Sequence, residues 1–343
     1  MMLYKVILIG YTPKRGVKVA YYSIELCAGA GGQALGLEKA GFKHIELLEI
    51  DNNACNTLRF NRPDWKVVEG DIRNYSPKPA VELDLLAGGV PCPPFSVAGK
   101  KLGADDERDL FPEALRLVSE LKPKAVMLEN VRGLLDSIFD EYRTKIIQTL
   151  ERLGYSADWR LLNASDYGVS QLRPRVVFIA LRKEIAPYFF WPNPFEKNPP
   201  TVGELLYDLM KKKDWKGAAW WKKTACDIAP TIVGGSKKHG GPDLGPTRAR
   251  KAWASLGVDG KGIANDSPEK DFEGMPRLTV EMVARIQGFP SDWVFTGSKT
   301  NKYRQIGNAF PPPVAQAAGI QIKKAFDMYS AFVEHKISER KFA

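Results

Sequence analysis

The chain has 343 residues, 44% hydrophobic and 26% charged, with a formal net charge of +10. No run of about 18 apolar residues is present, which argues against a membrane-spanning helix. Cys27, Cys55, Cys92 and Cys226 form no CxxC pair beside only three histidines, which argues against a metal site or a disulfide framework and for a reducing cytoplasm. The length allows one large domain and one smaller one. The basic balance favours a polyanionic partner. Met1–Gly10 lacks a signal-peptide pattern, and residues 1–20 read either as an extra strand or as an over-extended start.

In chain order, Tyr21–Leu26 reads as a strand, Cys27–Gly32 as a glycine turn and Gln33–Ala40 as a helix stopped at Gly41. Strand, turn and helix present backbone N–H groups to a cofactor. Gly29 to Ala34 satisfies G-x-G-x-x-A, which leaves a dinucleotide and a nucleoside cofactor both open. A second strand, His44–Ile50, carries Glu49 about 20 residues past the glycines, where an acid bonds ribose hydroxyls. Asp51 precedes a helix over Asn52–Phe60 and is assigned its N-cap. Val67–Val68 is a short third strand. Asp71 after it is either a turn residue or an acceptor for an exocyclic amine, with Ile72 packing on a purine face.

Leu83–Ala87 is a buried fourth strand running into Gly88-Gly89-Val90-Pro91-Cys92-Pro93-Pro94-Phe95-Ser96. The prolines predict a stiff, non-helical loop. Cys92 then stands at the carboxyl end of a strand, where open α/β sheets put their chemistry, or is a small buried residue in a turn. Ser96–Glu107 reads as a mobile loop over a site. Leu110–Leu121 is a helix, and Ala125–Leu128 a strand ending in Glu129-Asn130-Val131. A glutamate ending a buried strand is costly unless used or paired. Ile138–Leu153 is a helix. Strands Tyr155–Leu162 and Val176–Arg182 flank Gln171-Leu172-Arg173-Pro174-Arg175, whose two arginines share one side of an extended segment and suit a phosphate or a base edge.

Composition shifts after Trp191-Pro192-Asn193-Pro194. Lys211 to Lys261 holds twelve Lys/Arg against four Asp/Glu, with Trp215, Trp220 and Trp221 among the lysines. Basic, aromatic and loop-rich, this segment reads as a nucleic-acid face or as ordinary exposed loops. Arg277-Leu278-Thr279 leads into a helix to Gln287, stopped by Gly288-Phe289-Pro290. Gln305–Phe310 precedes prolines that open a last helix to about Val333.

In this order the residues resemble the DNA (cytosine-5)-methyltransferases of bacterial restriction–modification systems, over nearly the whole chain. Glu25-Leu26-Cys27-Ala28-Gly29-Ala30-Gly31-Gly32 is similar to the family's first S-adenosylmethionine motif, and Glu49 and Asp71-Ile72 to the next two. Gly88–Ser96 is similar to the catalytic loop, Glu129-Asn130-Val131 to the Glu-Asn-Val motif and Gln171-x-Arg173-x-Arg175 to the Q-x-R-x-R motif. Arg277–Pro290 and Gln305–Pro313 are similar to the last two. The resemblance implies an α/β fold: a doubly wound, Rossmann-like S-adenosylmethionine-dependent methyltransferase domain over residues 1–181 and 305–343. A smaller target-recognition domain would cover residues 182–304.

The resemblance also implies roles. Cys92 would add to C6 of a cytosine flipped out of duplex DNA, Glu129 would hold N3, and Arg173 and Arg175 would bind O2. S-adenosylmethionine would be lined by Glu25, Leu26, Cys27, Gly29, Gly31, Gly32, Glu49, Ile50, Asp71, Ile72, Pro91, Leu110, Asn308 and Ala309, with the Pro91 carbonyl also facing the exocyclic amine. Double-stranded DNA would meet Ser96, Lys237, Lys238, Arg248 and Arg250. A cognate restriction endonuclease would share the target site, and the enzyme would act as a monomer in the bacterial cytoplasm or nucleoid, without a metal. Cys27 replaces the family's usual Phe, and Pro93 its usual Gln. A tRNA cytosine-5 methyltransferase is the first rival, but Cys226-Asp227-Ile228 stands where that group carries Cys-Phe-Thr. A nicotinamide-dependent (NAD) oxidoreductase leaves Cys92, Glu129 and the arginines without a use, and an inactive DNA-binding relative would not need them.

Overall fold

The computed structural model describes residues 20–91, 109–235 and 243–342. Cys92 and Ser96, the expected loop over Ser96–Glu107, and Lys237 and Lys238 lie outside the described residues.

The strands β1 (Tyr21–Leu26), β2 (Phe42–Glu49), β3 (Val67–Glu69), β4 (Leu85–Gly88), β5 (Ala125–Val131), β6 (Tyr155–Asn163) and β7 (Pro174–Arg182) form one sheet in the order β3-β2-β1-β4-β5-β7-β6. β3 to β5 pair in parallel, whereas β7 runs antiparallel to both β5 and β6. The order reverses between β1 and β4. Connections on either side of that point leave toward opposite faces and open a crevice at the strands' carboxyl ends.

A two-residue period builds both faces. Leu85, Ala87, Ala125, Met127, Val177 and Ile179 enter one core, shared with helix α1 (Gly32–Ala40) and the carboxyl-terminal helix. Leu86, Val126, Leu128, Phe178 and Ala180 enter the other. That second core also takes Phe111, Ala114, Leu117 and Val118 of α3 (Phe111–Leu121) and Ile146 and Leu150 of α4 (Asp140–Arg152). α2 (Asn52–Asn61) lies between β2 and β3, capped by Asp51 Oδ1, which accepts from the N–H groups of Asn53 and Ala54 at 3.0 and 3.3 Å. β5 runs three residues further than expected, so Glu129 is a strand residue. The helix expected from Ile138 begins at Asp140, after a short 3-10 turn over Ser137–Phe139.

The remaining helices are α5 (Val202–Met210), α6 (Ala218–Thr224), α7 (Thr247–Ser255), α8 (Val280–Ile286), α9 (Lys299–Asn308) and α10 (Pro312–Phe342). Residues from Val202 to Ile306 share a separate core, into which the start of α1 inserts Ala30 and Leu35. This smaller lobe corrects the reading of its tryptophans. Trp215 and Trp221 are buried, with their indole N–H groups donating to the carbonyls of Phe272 and Gly257, and only Trp220 of the three is exposed. Aromatic rings bury more apolar area than any other side chain, so two of the three serve packing. The basic excess is also smaller in space than in sequence. Lys213 pairs with Asp266 and Glu269, and Lys216 with Asp271, carboxylates that lie just beyond the lysine-rich stretch.

α1 and α10 cross at close range. A Cβ at Gly36 would fall on the Pro312 carbonyl and within 2.6 Å of the Ala315 Cβ, and one at Gly319 within 2.9 Å of the Ala40 Cβ. Helix propensity alone would make alanine better than glycine here by about 1 kcal/mol. Backbone atoms cannot yield as a flexible side chain can, so overpacking decides the sign. Gly36→Ala should destabilise the chain by about 1–3 kcal/mol in urea unfolding; an unchanged or raised midpoint would contradict this crossing.

Candidate active site

The crevice at the switch point is a cleft of about 540 Å³. Its floor is the turn between β1 and α1. Cys27, Gly29 and Gly31 all take positive φ, at 51°, 53° and 85°. Glycine adopts this freely, but Cys27 carries a cost there. The Glu49 carboxylate holds the turn. One oxygen accepts from the Gly29 N–H at 2.7 Å, and the other from the N–H groups of Ile50 and Asp51 at 2.9 and 2.7 Å. Glu49 is thus the hinge between the ends of β1 and β2, while Asp51 is spent on its helix.

The cleft is acidic. Glu25, Glu49, Asp51 and Asp71 line it, against Arg73 and Arg304. Glu25 is fully buried, and among the described residues one of its carboxylate oxygens has no close hydrogen-bond partner. The neighbouring Gln33 side chain lowers its carboxyl less than burial raises it. Burial therefore pushes the Glu25 carboxyl well above the ordinary carboxylate range. Burial likewise raises the Cys27 thiol to about 12, with Glu49 and Asp71 adding to it, so this cysteine is no nucleophile at neutral pH. Ile50, 64% exposed, offers an apolar surface at the rim.

At the other end of the cleft, β4 leaves the sheet through Gly89, Val90 and Pro91. Asn130 Nδ2 donates to the Val90 carbonyl at 2.9 Å, and the Leu110 N–H to the Pro91 carbonyl at 3.0 Å. These bonds fix the two ends of the segment that carries Cys92. Glu129 lines the cleft here, its Oε1 accepting from Arg175 Nε at 2.8 Å. Glu129 and Arg175 are diagonal neighbours on one face, because Val177 stands opposite Glu129 in the β5–β7 register. Burial raises the Glu129 carboxyl above its usual range although Arg175 pulls it back, and burial also lowers the Arg175 guanidinium.

Arg173 departs from the expectation. It is wholly buried, with one Nη donating to the Ile232 carbonyl at 2.7 Å and the other to the carbonyls of Gly307 and Ala309 at 2.7 and 2.9 Å. Its Nε has no partner among the described residues, and Arg173 does not line the cleft or pair with Glu129 as Arg175 does. Leu26 and Gly31 also stand apart from the cleft surface. Leu26 belongs to a sheet core, and a Cβ on Gly31 would meet Leu58 and Trp293. The other expected cofactor residues line the cleft, from Glu25 and Cys27 through Pro91 and Leu110 to Asn308 and Ala309. Arg248 is exposed and Arg250 half-buried on α7. Gln33, Asn301, Arg304, Gln305 and Gly235 line the cleft without having been expected. Residues 301, 304, 305 and 308 stand at one-turn spacing on α9, a polar stripe that carries no apolar periodicity to read.

Known proteins are similar to this chain over most of its length. A model of the C-5 cytosine-specific DNA methylase family matches residues 21–324. The chain is 58% identical to the type II methyltransferase M.NgoMIV of Neisseria gonorrhoeae over 308 residues, 89% of this chain and 98% of that protein. It is 58% identical to the type II methyltransferase M.NaeI of Lentzea aerocolonigenes over 311 residues, 89% and 75% of the two. Among solved structures, a protein assigned as a DNA modification methyltransferase encoded within an E. coli prophage superposes with a TM-score of 0.64 at 25% identity, covering 90% of this chain and all of that one.

The buried Glu25 carboxyl makes a prediction. Its folded pKa is raised, so its contribution to stability is present below the ordinary carboxylate range and is lost as pH rises toward the folded value. Glu25→Gln removes that loss. The variant without ligand should be more stable than the wild type by about 1–3 kcal/mol at pH 8 and should converge with it near pH 4.5, measured by urea midpoints. Parallel curves would show that Glu25 does not titrate in this range.

Proposed function

The chain belongs to the C-5 cytosine-specific DNA methylase family, and from that premise we propose that it methylates C5 of a cytosine flipped out of a specific short duplex sequence, through an adduct between Cys92 and C6. It is a DNA (cytosine-5)-methyltransferase of the type II restriction–modification kind. The observation that carries the finer reading is the Glu129–Arg175 pair in the same cleft as the Glu49-held turn. One end of that cleft offers a carboxyl poised to share a proton, and the other a cradle for a nucleoside.

S-adenosylmethionine fits the residues present. It brings an ammonium and a sulfonium, and the cleft offers the Glu25 oxygen together with Glu49, Asp51 and Asp71 at the same end. Glu49 would accept from the ribose hydroxyls, Asp71 from the adenine amine, and Ile50 and Ile72 would cover the purine. When bound, the cofactor supplies an electrophilic methyl group.

The chain's own part follows from the chemistry of cytosine. C5 is a poor nucleophile until Sγ of Cys92 bonds to C6, which makes the ring enamine-like. Glu129, its carboxyl raised by burial, donates a proton to N3 as electrons move into the ring, and Arg175 keeps the carboxyl oriented. Once C5 carries the methyl group, loss of its proton to water reforms the double bond and expels the Cys92 thiolate, and N3 returns its proton to Glu129. Arg173 takes no part at the base and serves the wall behind it. Flipping costs a few kcal/mol, and duplex contacts from the smaller lobe, which we assign to target recognition over residues 182–304, would offset it. The partner is then duplex DNA in a bacterial cytoplasm or nucleoid, with a cognate endonuclease that shares the target.

Bisulfite sequencing of plasmid DNA exposed to the enzyme should show 5-methylcytosine at one short sequence. Cys92→Ser should abolish it while leaving cofactor and duplex binding intact; continued turnover would remove Cys92 from the mechanism. Glu129→Gln should lower kcat by about 10²-fold or more. Duplexes with 5-fluorocytosine at the target should trap a denaturant-resistant complex, since fluorine cannot leave as a proton does. Methylation of tRNA in place of duplex DNA would favour the rival activity.

A further inference from the structure

Three buried side chains that touch neither end of the cleft join the large lobe, the smaller lobe and the cleft wall. Gln171 Oε1 accepts from the Ile232 N–H at 2.7 Å, and its Nε2 donates to Gln287 Oε1 at 2.7 Å. Gln287 Nε2 then donates to the Ala309 carbonyl at 2.6 Å. The backbone partners at both ends fix which way each amide points, so the relay has one orientation. Arg173 closes it by bonding Ile232 as well as Gly307 and Ala309. All three side chains are fully buried. An unpartnered amide there would carry its full desolvation penalty.

The relay ends on Ala309, which lines the cleft with Asn308 and Gly235 and lies beside the end of the Glu49-held turn, where a Cβ on Gly32 would come within 3.1 Å of the Ala309 Cβ. The smaller lobe's chain presses on that wall: a Cβ on Gly307 would fall on the Gly234 backbone, and a Cβ on Gly234 within 2.7 Å of the Arg304 carbonyl. Asn308 Nδ2 donates to the Gly235 carbonyl at 3.3 Å. The wall thus has its position set from the lobe behind it.

We propose that Gln171, Arg173 and Gln287 are positioning residues that hold the Asn308–Ala309 wall against the cofactor, so that they set cofactor affinity without touching it. This rests on the cofactor reading of the cleft given above. Gln287→Glu is the discriminating variant. A carboxylate still accepts from Gln171 but sets an acceptor against the Ala309 carbonyl. Gln287→Leu removes both bonds.

The test is calorimetric titration of the full chain with S-adenosylhomocysteine, without DNA, alongside thermal unfolding and steady-state kinetics on an unmethylated duplex that carries the target sequence. Both Gln287 variants should weaken S-adenosylhomocysteine binding by about tenfold. KM for S-adenosylmethionine should rise in parallel, with kcat at saturation within threefold of wild type. Val258→Ala, in the smaller lobe's core away from the relay, should lower Tm without weakening binding. If Gln287→Leu does not fold, Gly234→Ala displaces the same wall from outside the relay and should weaken binding similarly. Variants that are folded yet bind within twofold of wild type overturn the proposal. A wild-type chain that binds no S-adenosylhomocysteine overturns the cofactor reading and this inference together, whereas wild-type binding with unchanged variants overturns this inference alone.

Discussion

The buried guanidinium of Arg173 is the constraint on which the two-lobe arrangement depends. A cation removed from water costs several kcal/mol unless its donors are met, and burial drives this one well below the ordinary guanidinium range. Its acceptors are the Ile232 carbonyl in the smaller lobe and the Gly307 and Ala309 carbonyls at the end of α9. Two of these oxygens belong to the last turn of a helix, where carbonyls have no partners of their own and the dipole favours positive charge. No lobe can move away from Arg173 without exposing the charge to a gap. The strand-exit segment, the smaller lobe and the carboxyl-terminal part of the large lobe are therefore tied at one point.

Electrostatics divides the cleft in two. At the β1–β2 end, carboxylates outnumber cations, and one Glu25 oxygen is buried without a close partner among the described residues. Such an end suits a ligand that carries positive charge. At the β4–β5 end the Glu129–Arg175 pair is internally balanced, yet burial moves both groups toward their neutral forms. A carboxyl held near the point of sharing its proton answers small changes in its surroundings, and an arriving base is such a change. One sheet edge thus carries an acidic end and a buried carboxylate–guanidinium pair.

The elements that were legible in sequence are those whose signal is an apolar run or a cap. The unbroken apolar runs of β4 and β5 predict strands buried on both faces, and Asp51 predicts its own capping bonds. α9 was not legible, because its cleft-facing residues Asn301, Arg304, Gln305 and Asn308 are polar and leave no apolar stripe. Trp215 and Trp221 read as a surface because lysines surround them in sequence, while in space those rings turn inward beneath the lysines. Arg173 and Arg175 read as equivalent because a two-residue period puts them on one side. Only the partners, drawn from residues 46 to 136 positions away, separate a cation held on backbone carbonyls from one paired with a carboxylate in the cleft. Sequence spacing gives direction, and long-range contacts decide what is met along it.

Those same contacts account for the strain in the cofactor turn. Three left-handed residues within five positions, one of them Cys27, cost about 1–3 kcal/mol at the non-glycine site. That geometry persists because the turn is held from both sides. Glu49 fixes Gly29 from β2, and α1 behind it is clamped between α10 at Gly36 and the smaller lobe's core at Ala30 and Leu35. A larger side chain in place of Cys27 would pay the same backbone cost, so the left-handed residue belongs to the turn and not to the thiol. The choice of cysteine bears instead on the room left in the cleft beside Glu25 and Gln33.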